Sequence, residues 1–316
     1  MEELSLKLIQ NSKMLIDRFC KDCKLRGMTE ESIRRYRSSL LIFSDYLATR
    51  NIGLDEIDTQ TLRDFLQYIK FEKGVKHKTV ENYFSALSTF YDYLAFDNVF
   101  NTNIVLPFRK RYLRRYKDGY DDPERKLLSV NEMSRLVNSM MDPRDKAAAV
   151  LLAKTGMRRG ELLRIDVEDV NWEDYSITLK PTPKRSNRTV FFDDECAVVL
   201  RRWLKVREKL NPKTKALFLS YQTLDRLSRN GLWTAVVKYA KKLGFHNPDS
   251  ERLEDHFGPH CFRHWFTTWL LRNGMPREYV KELRGDRRNE AIDLYHHIDR
   301  QDLRRAYLAC IPKLGI

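Results

Sequence analysis

Apolar residues return at every third or fourth position between Lys13 and Asp97: Leu15 and Phe19, then Ile33, Tyr36, Leu40, Phe43 and Leu47, then Leu62, Phe65 and Ile69. An α-helix turns once in about 3.6 residues, so this spacing collects the apolar side chains on one face of each segment and predicts a small helical bundle. Thr29 with Glu31 behind it, Thr59, and Lys78-Thr79 ahead of Tyr83, Leu87 and Phe90 stand where helices are expected to begin. Between the apolar positions lie Arg34, Arg35, Arg37, Lys73, Lys76, His77 and Lys78. These describe a solvated face, and they also suit contacts to a phosphate backbone.

The pattern breaks from Pro107 to Arg125, PFRKRYLRRYKDGYDDPER, which has a proline near each end, an Asp-Gly in the middle and basic residues before Asp118. It reads as a linker, either a plain connector or a strap that follows a DNA backbone. Ser129 and Glu132 then show the spacing of a capping box, and a further helix is expected over Arg144 to Lys154. Two β-prone runs follow, Ser176-Ile177-Thr178-Leu179 and Thr189-Val190-Phe191-Phe192, with Pro, Lys, Arg and Asn between them; they predict a β-hairpin. Helical periodicity then continues to the C-terminus. The expected fold is mainly α with a small β-sheet: a helical domain over 1–106, a basic interdomain linker over 107–127, and an α+β domain over 128–316 that ends in a tail helix.

Composition narrows the partners. The 316 residues are 42% hydrophobic, enough for two cores. The formal net charge of +14 favours a polyanion, nucleic acid first, because each Lys or Arg set against a phosphate releases condensed counterions. A merely basic enzyme would carry the same number, so charge does not decide the function. The five cysteines are odd in number and scattered, unlike a secreted disulfide framework, and Cys20-x-x-Cys23 has no second pair to complete a zinc site. With no leader pattern at Met1-Glu2-Glu3 and no apolar run of bilayer length, a soluble cytoplasmic protein is expected.

The most informative stretch is GPHCFRHWFTTWLLRNG, Gly258 to Gly274. Pro259 suits a first helical position and Asn273-Gly274 a stop. Phe262, Phe266, Trp269 and Leu270 form the core face, while His260, Arg263 and Thr267 form another. An imidazole and a guanidinium one helical turn apart suit an oxyanion, although a helix-capping His and a surface Arg would read the same way. A second arginine, Arg158, follows Thr155-Gly156-Met157, where Gly156 is expected to end a helix and leave Arg158 on a tight connection, aimed well enough for bidentate phosphate binding.

In order, Thr-Gly-Met-Arg158, a basic hairpin, His260-x-x-Arg263, and Arg284-Gly285-Asp286 followed nine residues later by Tyr295 resemble the tyrosine recombinase family of phage integrases and Xer-type recombinases. The resemblance covers the whole chain, but the diagnostic motifs lie in the second half. The first half resembles the family's core-binding domain in length and pattern only.

The resemblance implies that Arg158 and Arg263 hold a scissile phosphate with His260, and that Tyr295 attacks it to form a 3′-phosphotyrosine. It also implies that a hairpin lysine protonates the departing 5′-oxygen. Lys184, in the connection between the strands, is preferred over Lys180 at a strand end. Tyr307 is the runner-up nucleophile but fits no family spacing. Asp286 departs from the family pattern, which has His or Trp there; a carboxylate accepts hydrogen bonds and donates none when ionised. Asp286 is therefore expected to be an ionised buttress bonded to Arg284, Arg287, Arg288, Arg158 or His260.

As implied partners come double-stranded DNA and a homo-tetramer on paired sites, in which the tail, with Leu303, Tyr307, Leu308 and Ile311 on one face, crosses to a neighbouring subunit. The tail's other reading is packing on its own domain. Two-arginine chemistry needs no metal or other cofactor. Lacking the glutamate of H-E-x-x-H, His260 and His264 do not read as a zinc hydrolase, and no G-x-x-x-x-G-K-[ST] implies ATP. Two alternatives remain at this point: a type IB-like topoisomerase, and a DNA-binding protein that has lost catalysis.

Overall fold

The computed structural model describes residues 2–100, 102–113, 125–181, 188–286 and 298–316. They belong to two compact units, 1–119 and 120–316.

The first unit is the expected helical bundle: α1 (Glu2–Leu25), α2 (Glu30–Ala48), α3 (Thr59–Gln67), α4 (His77–Phe96) and α5 (Val105–Tyr112). Thr29 caps α2 by accepting from the Ser32 N–H, and Asp58 caps α3 by accepting from the Thr61 N–H at 2.7 Å. α1 packs on α2 and α2 on α4. Their shared core is aromatic: Phe19, Phe43, Phe65, Phe84 and Phe90 are buried, and Phe43 meets Phe65 edge-on at 4.8 Å. Edge-on rings set positive edges against negative faces, a gain beyond burial alone.

α5 revises the expected linker. Residues Pro107 to Tyr112 are helical, and Phe108 is buried in the first core, stacked on Phe84 at 5.2 Å. Pro107 breaks nothing because it sits in the first turn, where its missing N–H has no helical partner to lose. Asn103 caps that turn, its Oδ1 accepting from the Val105 N–H at 2.9 Å. Residues 114–124 of the expected linker lie outside the described residues.

In the second unit, α6 (Val130–Asn138) begins with the Ser129/Glu132 capping box, and the Asp142-capped α7 (Pro143–Thr155) runs through the middle of the core. A short α8 (Arg159–Leu162) leads to a three-stranded antiparallel sheet: β1 (Val170–Asn171), β2 (Ser176–Leu179) and β3 (Arg188–Phe191), in that order. Ile177 pairs with Val190 and Leu179 with Arg188. β1 is an addition to the expected hairpin; at two residues it is too short to leave a periodic signal.

Then come α9 (Asp194–Lys209), α10 (Arg229–Lys242), α11 (Pro259–Arg272), α12 (Arg277–Arg284) and α13 (Arg300–Cys310). α9, α10 and α11 all pack on α7. No helix among the described residues is long and apolar enough to cross a membrane.

In the single chain the tail packs on its own unit, the second of its two readings. Tyr307 and Leu314 are buried, and the Tyr307 hydroxyl donates to the Lys154 carbonyl at 2.9 Å. The Lys154 ammonium is fully buried and donates to Asp193 (2.7 Å), Glu195 (2.5 Å) and the Pro312 carbonyl (2.7 Å). Glu195 in turn accepts from the N–H groups of Leu314 (2.9 Å) and Gly315 (2.7 Å). A buried charge survives only when its donors are met; the tail backbone meets one of them through the Pro312 carbonyl and in turn donates to Glu195. Leu308, assigned to the apolar face of the tail, is exposed.

Candidate active site

The site grows from the end of α7. Gly156 turns left-handed there (φ 58°), and a Cβ on it would lie 2.2 Å from the Phe266 ring, so the turn needs glycine for its backbone and for its contact with α11. Two residues later Arg158 stands at the N-terminus of α8. Its N–H donates to Glu161 Oε2 at 2.7 Å, and its Nη1 lies 3.4 Å from Glu161 Oε1.

From α11 come His260 and Arg263. Pro259 occupies the first turn and Asn273 the C-cap, as the sequence predicts. Phe262, Phe266 and Leu270 are buried. Arg263 does not lie on an open face, however: it is 4% exposed. Its Nη1 donates to the Gly156 carbonyl (2.8 Å) and its Nη2 to the Arg284 carbonyl (2.9 Å) and Asp286 Oδ1 (3.1 Å). Those acceptors let a guanidinium enter the interior. Burial, then the neighbouring guanidinium of Arg158, pushes Arg263 down to about 9.

α12 supplies the meeting point. Its last two carbonyls receive three arginines: Arg188 Nε on Leu283 O (3.1 Å), and Arg263 Nη2 (2.9 Å) and Arg158 Nη1 (3.3 Å) on Arg284 O. A helix C-terminus carries the negative end of its dipole and several free carbonyls, so cations gather there favourably. Asp286 completes the cluster, Oδ1 lying 3.1 Å from Arg263 Nη2 and 3.5 Å from Arg158 Nη2, and Oδ2 lying 2.9 Å from Arg284 Nε. Arg158 remains about a third exposed, so a guanidinium edge faces solvent beside the buried Arg263.

His260 lies on the exposed side of the first turn of α11. Partial desolvation of the ring, then the charges of Arg125, Arg263 and Arg158, hold its pKa below the usual histidine value. A neutral imidazole beside two arginines can accept a proton or a hydrogen bond at neutral pH.

Of the residues expected from the sequence, Arg158, Arg263, His260 and Asp286 come together. Lys184 and Tyr295 lie outside the described residues. Lys180 points elsewhere: its ammonium is bonded to Asp166 and also lies 3.5 Å from Asp169. The hydrogen bond to Asp166 raises its pKa, which makes it a weaker acid. Tyr307, the runner-up nucleophile, is fully buried with its hydroxyl on a main-chain carbonyl, and burial pushes its phenol well above the ordinary value. It is a core residue.

Glu161 and Arg188 were not among the residues expected at the site. Arg188 sits at the start of β3 and donates to both oxygens of Glu161, at 3.2 and 2.8 Å. Glu161 had a readable signal, an acidic residue three positions after Arg158 at a helix start. The Arg188 partnership spans 27 residues, and no periodicity reports a contact of that kind.

The phage integrase family matches residues 126–302, and the N-terminal SAM-like domain of phage integrases matches residues 16–97. The chain is similar to tyrosine recombinase XerD of Staphylococcus epidermidis, 27% identical over 91% of this chain and 95% of that protein. It is likewise similar to tyrosine recombinase XerC of Corynebacterium glutamicum, 27% identical over 95% and 92%. Among solved structures, a Tn1549 transposon integrase in complex with circular intermediate DNA shares the fold at a TM-score of 0.67 and 21% identity, over 92% of this chain and 98% of that one. XerH site-specific recombinase bound to its difH substrate does so at 0.64 and 22%, over 92% and 82%.

Proposed function

The chain belongs to the phage integrase family and is a tyrosine site-specific recombinase that breaks and rejoins DNA, and from that premise we propose how its own residues divide the work. The observation that carries the reading is the convergence of Arg158 and Arg263, from different elements, on the Arg284 carbonyl and the Asp286 carboxylate.

Attack on a phosphodiester builds negative charge on its non-bridging oxygens. Two guanidinium groups held in advance stabilise that charge with little reorganisation, and no metal is required for it. Tyr295 supplies the nucleophile. A phenol with a pKa of about 10 attacks poorly until cationic surroundings or a base favour the phenolate, and His260 with the arginines provides both. The phenolate oxygen bonds to phosphorus, the bond to the 5′-oxygen breaks, and Lys184 gives that oxygen its proton. Lys180 is less suited to the step, being tied to Asp166 and Asp169. The phosphotyrosine conserves the bond energy, so the reverse attack by a 5′-hydroxyl rejoins DNA without ATP.

Asp286 serves as a positioning residue. Its carboxylate gathers Arg158, Arg263 and Arg284 and orients the guanidinium groups without touching the phosphate. The working assembly in this reading is four copies on two duplexes in the cytoplasm, the tail crossing to a neighbour only after it leaves the seat formed by Lys154 and Glu195. The chain is organised for this as a core-binding unit that clamps DNA and a catalytic unit that cuts it.

The test uses suicide DNA substrates, nicked so that the cut strand diffuses away, taken from the chain's own genomic neighbourhood. A covalent protein–DNA adduct through Tyr295 is expected. Its absence on every such substrate, with DNA still bound, would overturn the reading.

A further inference from the structure

Arg188 lies outside the phosphate site yet connects its parts. The residue opens β3, is about 8% exposed at its side chain, and directs its donors to two acceptors. Nη1 and Nη2 form a fork on Glu161 at 3.2 and 2.8 Å, and Nε donates to the Leu283 carbonyl at 3.1 Å. The same Glu161 carboxylate takes the Arg158 N–H at 2.7 Å. The carbonyl after Leu283, that of Arg284, takes Nη groups of both Arg158 and Arg263. One guanidinium therefore joins the sheet, the N-terminus of α8 and the C-terminus of α12.

The backbone around Arg188 accommodates this contact closely. Gly285 is left-handed (φ 58°), and a Cβ there would stand 2.5 Å from Arg188 Cδ. The turn between Arg284 and Asp286 thus has room for the Arg188 side chain only because it carries no side chain itself. A bidentate fork holds a carboxylate in one orientation, whereas an ammonium would act as a point charge and leave it free to rotate.

We propose that Arg188 is a positioning residue for DNA cleavage: by fixing Glu161 and the end of α12 it holds Arg158 in register with Arg263, and it does not touch the phosphate. This rests on the assignment of Arg158 to the scissile phosphate. Because the fork engages Glu161 with both Nη groups and the Leu283 carbonyl with Nε, Arg188 acts on the phosphate only through its neighbours.

The experiment is a double-mutant cycle on adduct formation, with noncovalent DNA binding and thermal midpoint measured alongside. Arg188→Met is expected to slow cleavage by roughly tenfold to a hundredfold, the range for loss of an orienting contact, with DNA affinity changed less than about twofold. In an Arg158→Ala background the same change is expected to cost less than about twofold, since its target is gone. Equal fold losses in the two backgrounds, or no loss in either, would overturn the proposal.

Arg188→Lys keeps the charge but not the fork. It is expected to keep the fold and still lose rate, which covers a failure of the methionine variant to fold; a wild-type rate in a folded Lys variant counts against the fork. A readout independent of chemistry is the ¹⁵N-labelled guanidinium signal of Arg158, expected to shift or broaden in Arg188→Lys and to stay fixed in the remote control Arg37→Ala. An unchanged signal would refute the role of Arg188. A normal adduct yield in Arg158→Ala would instead refute the assignment of Arg158, and the two failures are thereby separate.

Discussion

Both units carry exposed ion pairs, but among the described residues only the second buries charged side chains. In the first, the ion pairs lie in solvent: Arg37 with Asp17 and Lys24 with Glu30 have side chains half to three-quarters exposed, while the core is aromatic and aliphatic. In the second, Lys154, Asp193, Arg263 and Arg188 are all buried and all hold partners. Exposed pairs contribute little because water screens them and long side chains lose entropy in holding them. Buried ones cost several kcal/mol of desolvation in effective terms, so they persist where geometry is excellent or chemistry needs it. One buried network, around Lys154, holds the tail; the other, around Arg263, holds the site proposed for the phosphate. They adjoin at the end of α7, where Lys154 is the last residue but one and Gly156 is the C-cap.

The largest effect is expected at Tyr295, the proposed nucleophile. Tyr295→Phe is expected to abolish the covalent adduct while leaving DNA affinity nearly unchanged, as read on denaturing gels and by gel shift; an adduct formed by the Phe variant would reassign the nucleophile. Next come the two clustered arginines, one buried and one partly exposed. Arg158→Ala and Arg263→Ala are each expected to slow cleavage by about a hundredfold or more, the scale of losing an oxyanion donor. Near-normal single-turnover rates in either would place the phosphate elsewhere.

The tail network bears on stability. Lys154→Met leaves Asp193 and Glu195 without their shared cation and is expected to cost about 3–5 kcal/mol in urea unfolding. Truncation after Arg300 removes Leu303, Tyr307, Ile311 and Leu314 from the core and should lower the thermal midpoint of the whole second unit. A truncated chain as stable as the full one would mean that the tail is not part of this core.

Smaller effects are expected at Asp286, where Ala should slow cleavage roughly tenfold and Asn, which keeps the shape, less. If Asn were the more damaging change, shape would not be what Asp286 contributes. The smallest lies in the first unit: Arg37→Ala at its half-exposed pair should change stability by less than about 1 kcal/mol, and a loss comparable to that of Lys154→Met would erase the contrast between the units.

Much of this was legible in the chain itself. Periodicity located the helices of the bundle and α11, because one turn of helix repeats within a few residues and each apolar stripe must face a core. Gly156, Pro259 and Asn273-Gly274 announced their turns and caps because the backbone there depends on the residue occupying it. The motif order brought Arg158, His260, Arg263 and Asp286 to notice.

Tertiary structure alone decided which of these side chains meet and what surrounds them. The helical face of Arg263 was readable, but its burial depended on the carbonyls of Gly156 and Arg284 arriving from elsewhere. Pro107 looked like a boundary until Phe108 found its place against Phe84. The tail's face was visible, but its seat required Lys154 and Glu195 on α7 and α9. Arg188 and Glu161 lie far apart in sequence and on different elements, and only the folded chain sets a guanidinium fork against a carboxylate. Local propensity acts over one or two turns and leaves its record in neighbouring residues. A buried polar contact is selected by what must be satisfied once water has left, and that is determined by the whole fold.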